Sequence, residues 1–501
     1  MRARLQIVGL ACLAALGGAC EGVTQVHDVY CASDSDCEDP AYPLCQLDQH
    51  TCIAGAPVTR PDLAMPQEEL PDLAKGRTPV DATTRVVDLA MSSGCTMSSA
   101  CADAVPLCAM GTCRACAGDS EDTLCAARNP STPRCASGRC VACRSATAST
   151  DCPSIAPVCD SGTCRACRGS ADCASGVCAA DGSCVASANV INVDNMKCNG
   201  GKGADGSLAH PYCEARDALS ALGGKTFVRL AGSGAPYANL SVMNDGVTVT
   251  LVGPGPGATP AATIMGGSHT GLFISGTNDT IGVDGLDIIG GNGRSDIYCS
   301  APAGAKSSLR VVRASLHGGG DVGIFARRCD LTVDRSRIGP DNEGGGVSIQ
   351  GASYAITNTF IAGNIDGAAV TLSDDATGVF AHNTVFGNVN LAGVGGIECG
   401  MGAPKAITAS IVWLNDKMGG SQLSGACAVT TSDLDETVAG TGNQMLAPNF
   451  VDDVSYDLHL DATKDNSCCV DKVPTSMVDH DIDGAHRPRG AAWDIGAHEL
   501  K

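Results

Sequence analysis

The chain of 501 residues carries 54 Asp and Glu against 33 Lys and Arg, a formal charge of -21, with only 7 Phe, 7 Tyr and 2 Trp. That balance repels phosphate backbones and anionic head groups and supplies few rings for base stacking, so it argues against nucleic acid as a partner. Of the 30 cysteines, 22 precede residue 185, which excludes a reduced cytosol and marks the N-terminal third as disulfide-stapled and exported. The 62 glycines and the low charged fraction of 17% suit many short strands joined by tight turns.

Residues 1–19 read as a signal peptide: Arg2 and Arg4 precede an apolar stretch from Leu5 to Leu16 that is too short to span a bilayer, followed by Gly17, Gly18 and Ala19. The run Leu16-Gly17-Gly18-Ala19-Cys20 resembles the lipobox of bacterial lipoproteins, with the leucine one place further upstream than usual. That resemblance implies acylation of Cys20, a membrane attachment through lipid alone, and a cell-surface or outer-membrane location. The other reading is an ordinary cleaved signal peptide that leaves Cys20 for a disulfide.

Cysteines 31 to 184 fall into five sets of four with similar internal gaps: one set over residues 20–52 and four over 95–184. Phrases recur, as in Gly111-Thr112-Cys113-Arg114-Ala115-Cys116 and Gly162-Thr163-Cys164-Arg165-Ala166-Cys167. Each unit has too few apolar side chains for a core, so two disulfides per unit are expected to hold it. Cys-x-x-Cys pairs arise wherever two units meet, and no histidine lies between Cys52 and Cys184, so the scaffold reading outweighs zinc or redox chemistry. The units are similar to those of large predicted lipoproteins of predatory and soil bacteria, which implies a spacer or interaction module. Residues 53–94, with five prolines and three echoes of Asp-Leu-Ala, read as a semi-extended tether.

From residue 189 the period changes to short apolar triplets with Gly, Asn and Asp turns. A repeat aligns on Ile288, Leu316, Ile338, Ile361, Phe386 and Val412, spaced by 28, 22, 23, 25 and 26 residues, with Asn364, Asn388 and Asn415 at a recurring turn. No helical stripe accompanies it, so strands stacked coil upon coil are expected, with the asparagines accepting left-handed geometry and bonding to their neighbours one coil away.

Residues 189–501 resemble the right-handed parallel β-helix proteins of the pectate-lyase-like superfamily, of the bacterial choice-of-anchor Q type. The resemblance is carried by Val193-Asp194, Gly206-Ser207, Pro211-Tyr212, a short helix over 215–222 and a rung over 226–230; by Pro448-Asn449-Phe450-Val451 with Asp457-Leu458-His459-Leu460; and by the closing Asp483-Gly484, Arg487-Pro488 and Asp494-Ile495-Gly496-Ala497-His498-Glu499. Cys468-Cys469 stands where the family has a short apolar phrase. The implied fold is an all-β right-handed parallel β-helix solenoid behind a small disulfide-rich array and a Pro-rich linker. Asp483, Arg487, Asp494 and Glu499 read as an end cap of the solenoid. Asp479, Asp481 and Asp483 imitate half a calcium loop but lack the closing Glu, so a looser calcium site is the one cofactor left open.

For a lyase or hydrolase, Asp321, Arg327, Arg328 and Asp330, with Asp334 and Arg335, are the best local cluster, although their alternation with Leu331 and Val333 fits an exposed strand. His269, His317 and His382 read as surface residues near turns. A surface protein that binds a glycan or another protein is favoured over a polysaccharide-degrading enzyme, because fold alone confers no chemistry. The remaining eight cysteines are expected to pair: Cys198 with Cys213, Cys299 with Cys329 and Cys399 with Cys427, the last two about one coil apart, which leaves Cys468 and Cys469 to each other or displacing another pair.

Overall fold

The computed structural model describes residues 44–46, 51–53, 95–179, 181–255, 257–416 and 421–500. The chain divides into two units, Met1–Asp88 and Leu89–Lys501. In the first unit the described residues form one antiparallel hairpin, Leu44–Gln46 with Thr51–Ile53. Residues 1–19, Cys20 and the stretch 54–94 lie outside the described residues.

In the second unit, residues 95–184 form four cysteine units with one pattern. Bridges join the first cysteine to the third and the second to the fourth: Cys95–Cys108 and Cys101–Cys113, then Cys116–Cys135 and Cys125–Cys140, Cys143–Cys159 and Cys152–Cys164, and Cys167–Cys178 and Cys173–Cys184. The third and fourth cysteines face each other across a tiny antiparallel ladder, as in Cys108 opposite Cys113. The arginine after the fourth cysteine ties down the start of the next unit by pairing with an acid seven residues on, Arg114 with Glu121 and Arg165 with Asp172. The buried residues of this region are mostly the cysteines themselves, with Leu107. The last unit docks on the solenoid through Val177 and Val185, which meet Val190, Val252 and Phe227.

The solenoid follows from period-two alternation repeated coil after coil. Its first sheet has ten parallel strands, beginning with Val190–Val193 and Phe227–Leu230 and ending with Cys427–Thr430. A second sheet of nine runs from Tyr237–Ala238 to Asp433–Leu434, and a third of eight from Leu240–Val242 to Leu423–Gly425. The chain visits the first, second and third sheets in turn, giving eight complete coils of an all-β, right-handed parallel β-helix. The first and third sheets each send two apolar columns inward, and the second sends one. In the first sheet one of the two includes Val283, Val311, Val333, Ile356, Phe380 and Ile407, in register along the axis. Burying each such side chain contributes about 1.5–3 kcal/mol. Tyr354 fits the same wall because its neighbour in the next coil is Gly378, where a Cβ would come 1.9 Å from the Tyr354 carbonyl oxygen.

The second-sheet column is Ile288, Leu316, Ile338, Ile361, Val385 and Val412. The expected anchor Phe386 is one residue off: Val385 points inward, and Phe386 faces out, because a slip of one position flips a strand residue to the other face. Asn364, Asn388 and Asn415 do bond one another between coils. Asn364 Nδ2 donates to Asn388 Oδ1 at 2.8 Å, Asn388 Nδ2 to Asn415 Oδ1 at 2.8 Å, and Gln422 ends the ladder. The left-handed geometry, however, falls on the preceding residues Gly363, Gly387 and Leu414, and the asparagines are free to aim their amides along the axis. The helix Ala215–Ser220 closes the first end.

At the other end, residues 436–445 close the last coil. Val438 packs on the core and Asn443 donates to the Val429 carbonyl at 3.0 Å. The segment 450–500 instead lies along the flank, where Phe450, Leu458, Leu460 and Ile495 cover Phe360, Phe386, Ile411 and Trp413 on the outer face of the second sheet. Residues Phe450–Asp452 and Asp457–Leu460 form an antiparallel hairpin, not rungs of the solenoid. The remaining bridges join Cys198–Cys213, Cys299–Cys329, Cys399–Cys427 and the adjacent Cys468–Cys469.

Candidate functional site

Among the described residues no segment covers the outer face of the third sheet, and its register builds a column of aromatic rings there. Phe273, Tyr298 and Phe325 each lie between two inward residues of their strands and pair directly from coil to coil. Their rings stack at 5.2 Å and 8° for Phe273 on Tyr298, and 4.9 Å and 12° for Tyr298 on Phe325. Serines occupy the register positions at both ends, Ser241 before Phe273 and Ser348 after Phe325, so neither terminal ring is covered by a bulky neighbour. Beside Phe273 a cleft of about 200 Å³ is lined by Asn239, Ser241, His269, Thr270 and Arg294. Beyond Ser348 the column continues as Thr371, Glu398 and Ser424. The aromatic scarcity of the sequence points to a binding face that works mainly through polar groups. The signal that could have corrected this was the spacing of the three rings, 25 and 27 residues, which matches one coil each.

The charged cluster expected from the sequence does not assemble. Asp321 is exposed in the turn before a third-sheet strand and accepts the Ser295 hydroxyl at 3.1 Å. Arg327 ends the strand Ile324–Arg327, exposed beside the aromatic column. Arg328 sits at the next corner in left-handed geometry, its Nε donating to the carbonyls of Ala301 and Pro302 at 2.8 and 3.1 Å. Asp330 is on the first sheet. Burial pushes its pKa up, but the Ser353 N–H, at 2.9 Å, and Lys306 hold it below the usual range. On the aromatic face itself the only column acid, Glu398, is three coils from the row of Phe325, or about 14 Å at the usual strand spacing. Among the described residues of that column no second carboxylate stands beside Glu398.

Arg487, Asp494 and Glu499 build the closing segment's interior, on the flank and not across the end, while Asp483 is exposed at its surface. Arg487 Nη1 meets Glu499 Oε2 at 3.0 Å with both side chains fully buried, and Arg487 also donates to the carbonyls of Gly496, Asp494 and His480. Glu499 accepts the N–H groups of Arg489 and Asp494, each at 3.0 Å. Burial lifts Asp494 to about 6. His382 is buried in the same network, not on the surface, and burial together with the Arg487 charge lowers it to about 3. His317 is partly exposed and paired with Asp287 at 2.9 Å, while His269 is exposed.

Asp479 does not join Asp481 and Asp483 in one ligand cluster among the described residues. Asp479 pairs with His480, and Asp481 accepts N–H groups from Asp483, Ala485 and Glu499. Asp481, Asp483 and His498 do offer ligand atoms within 4.8 Å of one another. Yet His498 Nδ1 accepts the Leu460 N–H at 3.0 Å, so the neutral ring carries its proton on Nε2 and presents no lone pair there.

Residues 81–190 match the model of a family of unknown function (DUF8331), which covers the four cysteine units and the approach to the first strand. No curated protein matches the chain. Among solved structures the chain is similar to the crystal structure of pectate lyase Pel9A, with 14% identity over 62% of this chain and 96% of that one and a TM-score of 0.37. The β-helix assignment rests on the strand register rather than on that likeness.

Proposed function

We propose that this chain is an exported bacterial surface lipoprotein of the choice-of-anchor Q type, attached through Cys20, and that its β-helix binds an extended glycan along the third sheet. The anchor reading is supported by the charge, apolar length and small residues ahead of Cys20, and the type by the closing Asp-Gly, Arg-Pro and Asp-Ile-Gly-Ala-x-Glu phrases. The cysteine array serves as the spacer that carries the helix away from the membrane.

The observation that carries the binding reading is the stack Phe273–Tyr298–Phe325. Sugar rings present C–H faces that pack on aromatic faces, and the flanking Ser, Thr, Asn and Arg groups suit their hydroxyls. A column running along the axis at one ring per coil also matches a linear polymer better than a compact ligand. Affinity electrophoresis against a panel of neutral and acidic polysaccharides tests this. Wild type is expected to be retarded by at least one polymer, and Tyr298→Ala to lose most of that retardation while remaining folded, with only the modest drop in unfolding temperature that two lost ring contacts bring. Equal retardation of both proteins would sink the assignment of the face. Shortened polymer chains after incubation would replace binding with degradation.

A further inference from the structure

A second site lies on a different surface, the outer face of the second sheet, where the closing segment stops covering it. Asp287, Ser315, Arg337 and Phe360 occupy one outward column in successive coils. From Phe360 onward the column is roofed by the closing segment, and before it no described residue of that segment packs on the sheet. At that step is a cleft of about 370 Å³ lined by Ser315, His317, Arg337, Pro340, Phe360 and Tyr456, within the size range of small-molecule sites.

The cleft contains donors without acceptors. The Arg337 guanidinium lies 5.0 Å over the Phe360 ring and forms no hydrogen bond or ion pair among the described residues. Asp483 feels its charge but pairs with His459. The hydroxyls of Tyr456 and Ser315 are likewise without partners among the described residues. Tyr456 is a fixed wall, because its ring rests on Gly363, where a Cβ would come within 2.5 Å of it. His317 is oriented by Asp287, which Thr263 holds in turn at 3.0 Å, and its Nδ1 is free.

Held over the Phe360 ring and without a partner among the described residues, the Arg337 guanidinium has its N–H groups available to take a carboxylate in two parallel hydrogen bonds. Phe360, Pro340 and Tyr456 supply apolar walls for the body behind it. The acids that face His317 limit the ligand to one charge. Asp287 and Asp341 oppose a second negative group, whereas Asp296 is fully buried. We propose that this cleft binds a monocarboxylate with a flat apolar body, anchored by Arg337.

Calorimetric titration of the full chain with benzoate, benzamide and inorganic phosphate tests it. Benzoate is expected to bind saturably, with benzamide and phosphate much weaker. Arg337→Gln should weaken benzoate about tenfold or more, and Arg337→Lys, which keeps the charge but loses the fork, should fall between. Thermal melts of both variants should stay close to wild type, since Arg337 forms no hydrogen bond or ion pair among the described residues and its one contact is with the Phe360 ring. The proposal is overturned if folded wild type shows no saturable benzoate binding, if Arg337→Gln binds it equally, or if benzamide matches it.

Discussion

His480 in the closing segment and Asp334 at the end of a first-sheet strand meet at 3.1 Å although 146 residues separate them in the chain. The pair clamps the flank segment to the solenoid at the corner where Arg335 and Asn358 also reach Asp334. Burial pushes Asp334 up, but His480, Asn358 and Arg335 together hold it at about 2. The hydrogen bond to Asp334 raises His480 against the effect of burial.

A histidine raised in the folded state contributes stability below its unfolded value, about 6.5, and loses it as pH rises through the folded value. Asp334 stays ionised down to about 2, so it does not limit the pair between pH 4 and 9. His480→Gln should therefore cost about 1 kcal/mol at pH 5 and progressively less toward pH 9. Urea unfolding followed by fluorescence reads this, since Trp413 and Trp493 both belong to the flank interface. A stability gap that does not change with pH would show that His480 acts by packing alone.

His382 titrates in the opposite sense. Its folded value of about 3 lies below the unfolded one, so its contribution is present above about pH 6.5 and is lost as pH falls. His382→Gln is expected to be less stable than wild type at pH 8, because His382 bonds Ser476 at 2.9 Å, and to lose less on going to pH 4. Parallel pH curves for the two proteins would refute the assignment.

The asparagine ladder is expected to be a major local support. Asn388 is fully buried, donates to Asn415 and to the Ile361 carbonyl at 2.9 Å, and accepts from Asn364. Asn388→Ala leaves buried partners unsatisfied and should cost about 2–4 kcal/mol. The partly exposed Asn390→Ala should cost less than about 1 kcal/mol. Comparable losses in chemical denaturation would mean that the ladder follows the fold rather than holding it.

Much of this architecture was legible because each coil repeats one short grammar. Ile288, Leu316, Ile338 and Ile361 could be aligned by spacing alone, and they stack in one column. The slip at Phe386 came from a strand that is apolar on both faces, for Thr384, Val385 and Phe386 are all buried. The same is true of Phe360–Ala362 and Ile411–Trp413, and such triplets announce a second layer outside the sheet. That layer was unreadable as a place, because the closing phrase returns to coils more than a hundred residues earlier, as His480 does to Asp334. The charged cluster around Asp321 and Asp330 looked local because its members are close in sequence. In a solenoid, ten residues travel around a corner, and proximity belongs to residues one coil apart.

Cys20 lies outside the described residues, and its acylation is expected from the sequence ahead of it. Cys20→Ser should move the protein from the membrane to a soluble fraction, and mass spectrometry of the native N-terminal peptide should find acyl chains on Cys20. A Cys20 in disulfide linkage in membrane-derived protein would contradict this.

Reduction should separate the two halves of Leu89–Lys501. The array has eight bridges over residues 95–184, and its buried residues are almost all cysteines. Each loop of 11 to 19 residues closed by a disulfide contributes on the order of 2–4 kcal/mol, with little apolar burial to replace it. The solenoid has inward columns on three sheets, and its bridges Cys299–Cys329 and Cys399–Cys427 reinforce positions that already stack. Cys468–Cys469 joins adjacent residues and closes no long loop, so its loss should affect the flank segment locally. With reductant, limited proteolysis is expected to digest residues 95–184 first and to leave a fragment beginning near residue 189 with its β-type circular dichroism intact. Equal rates of digestion for the two regions would show that disulfides, and not the stacked apolar columns, are the main support of the β-helix.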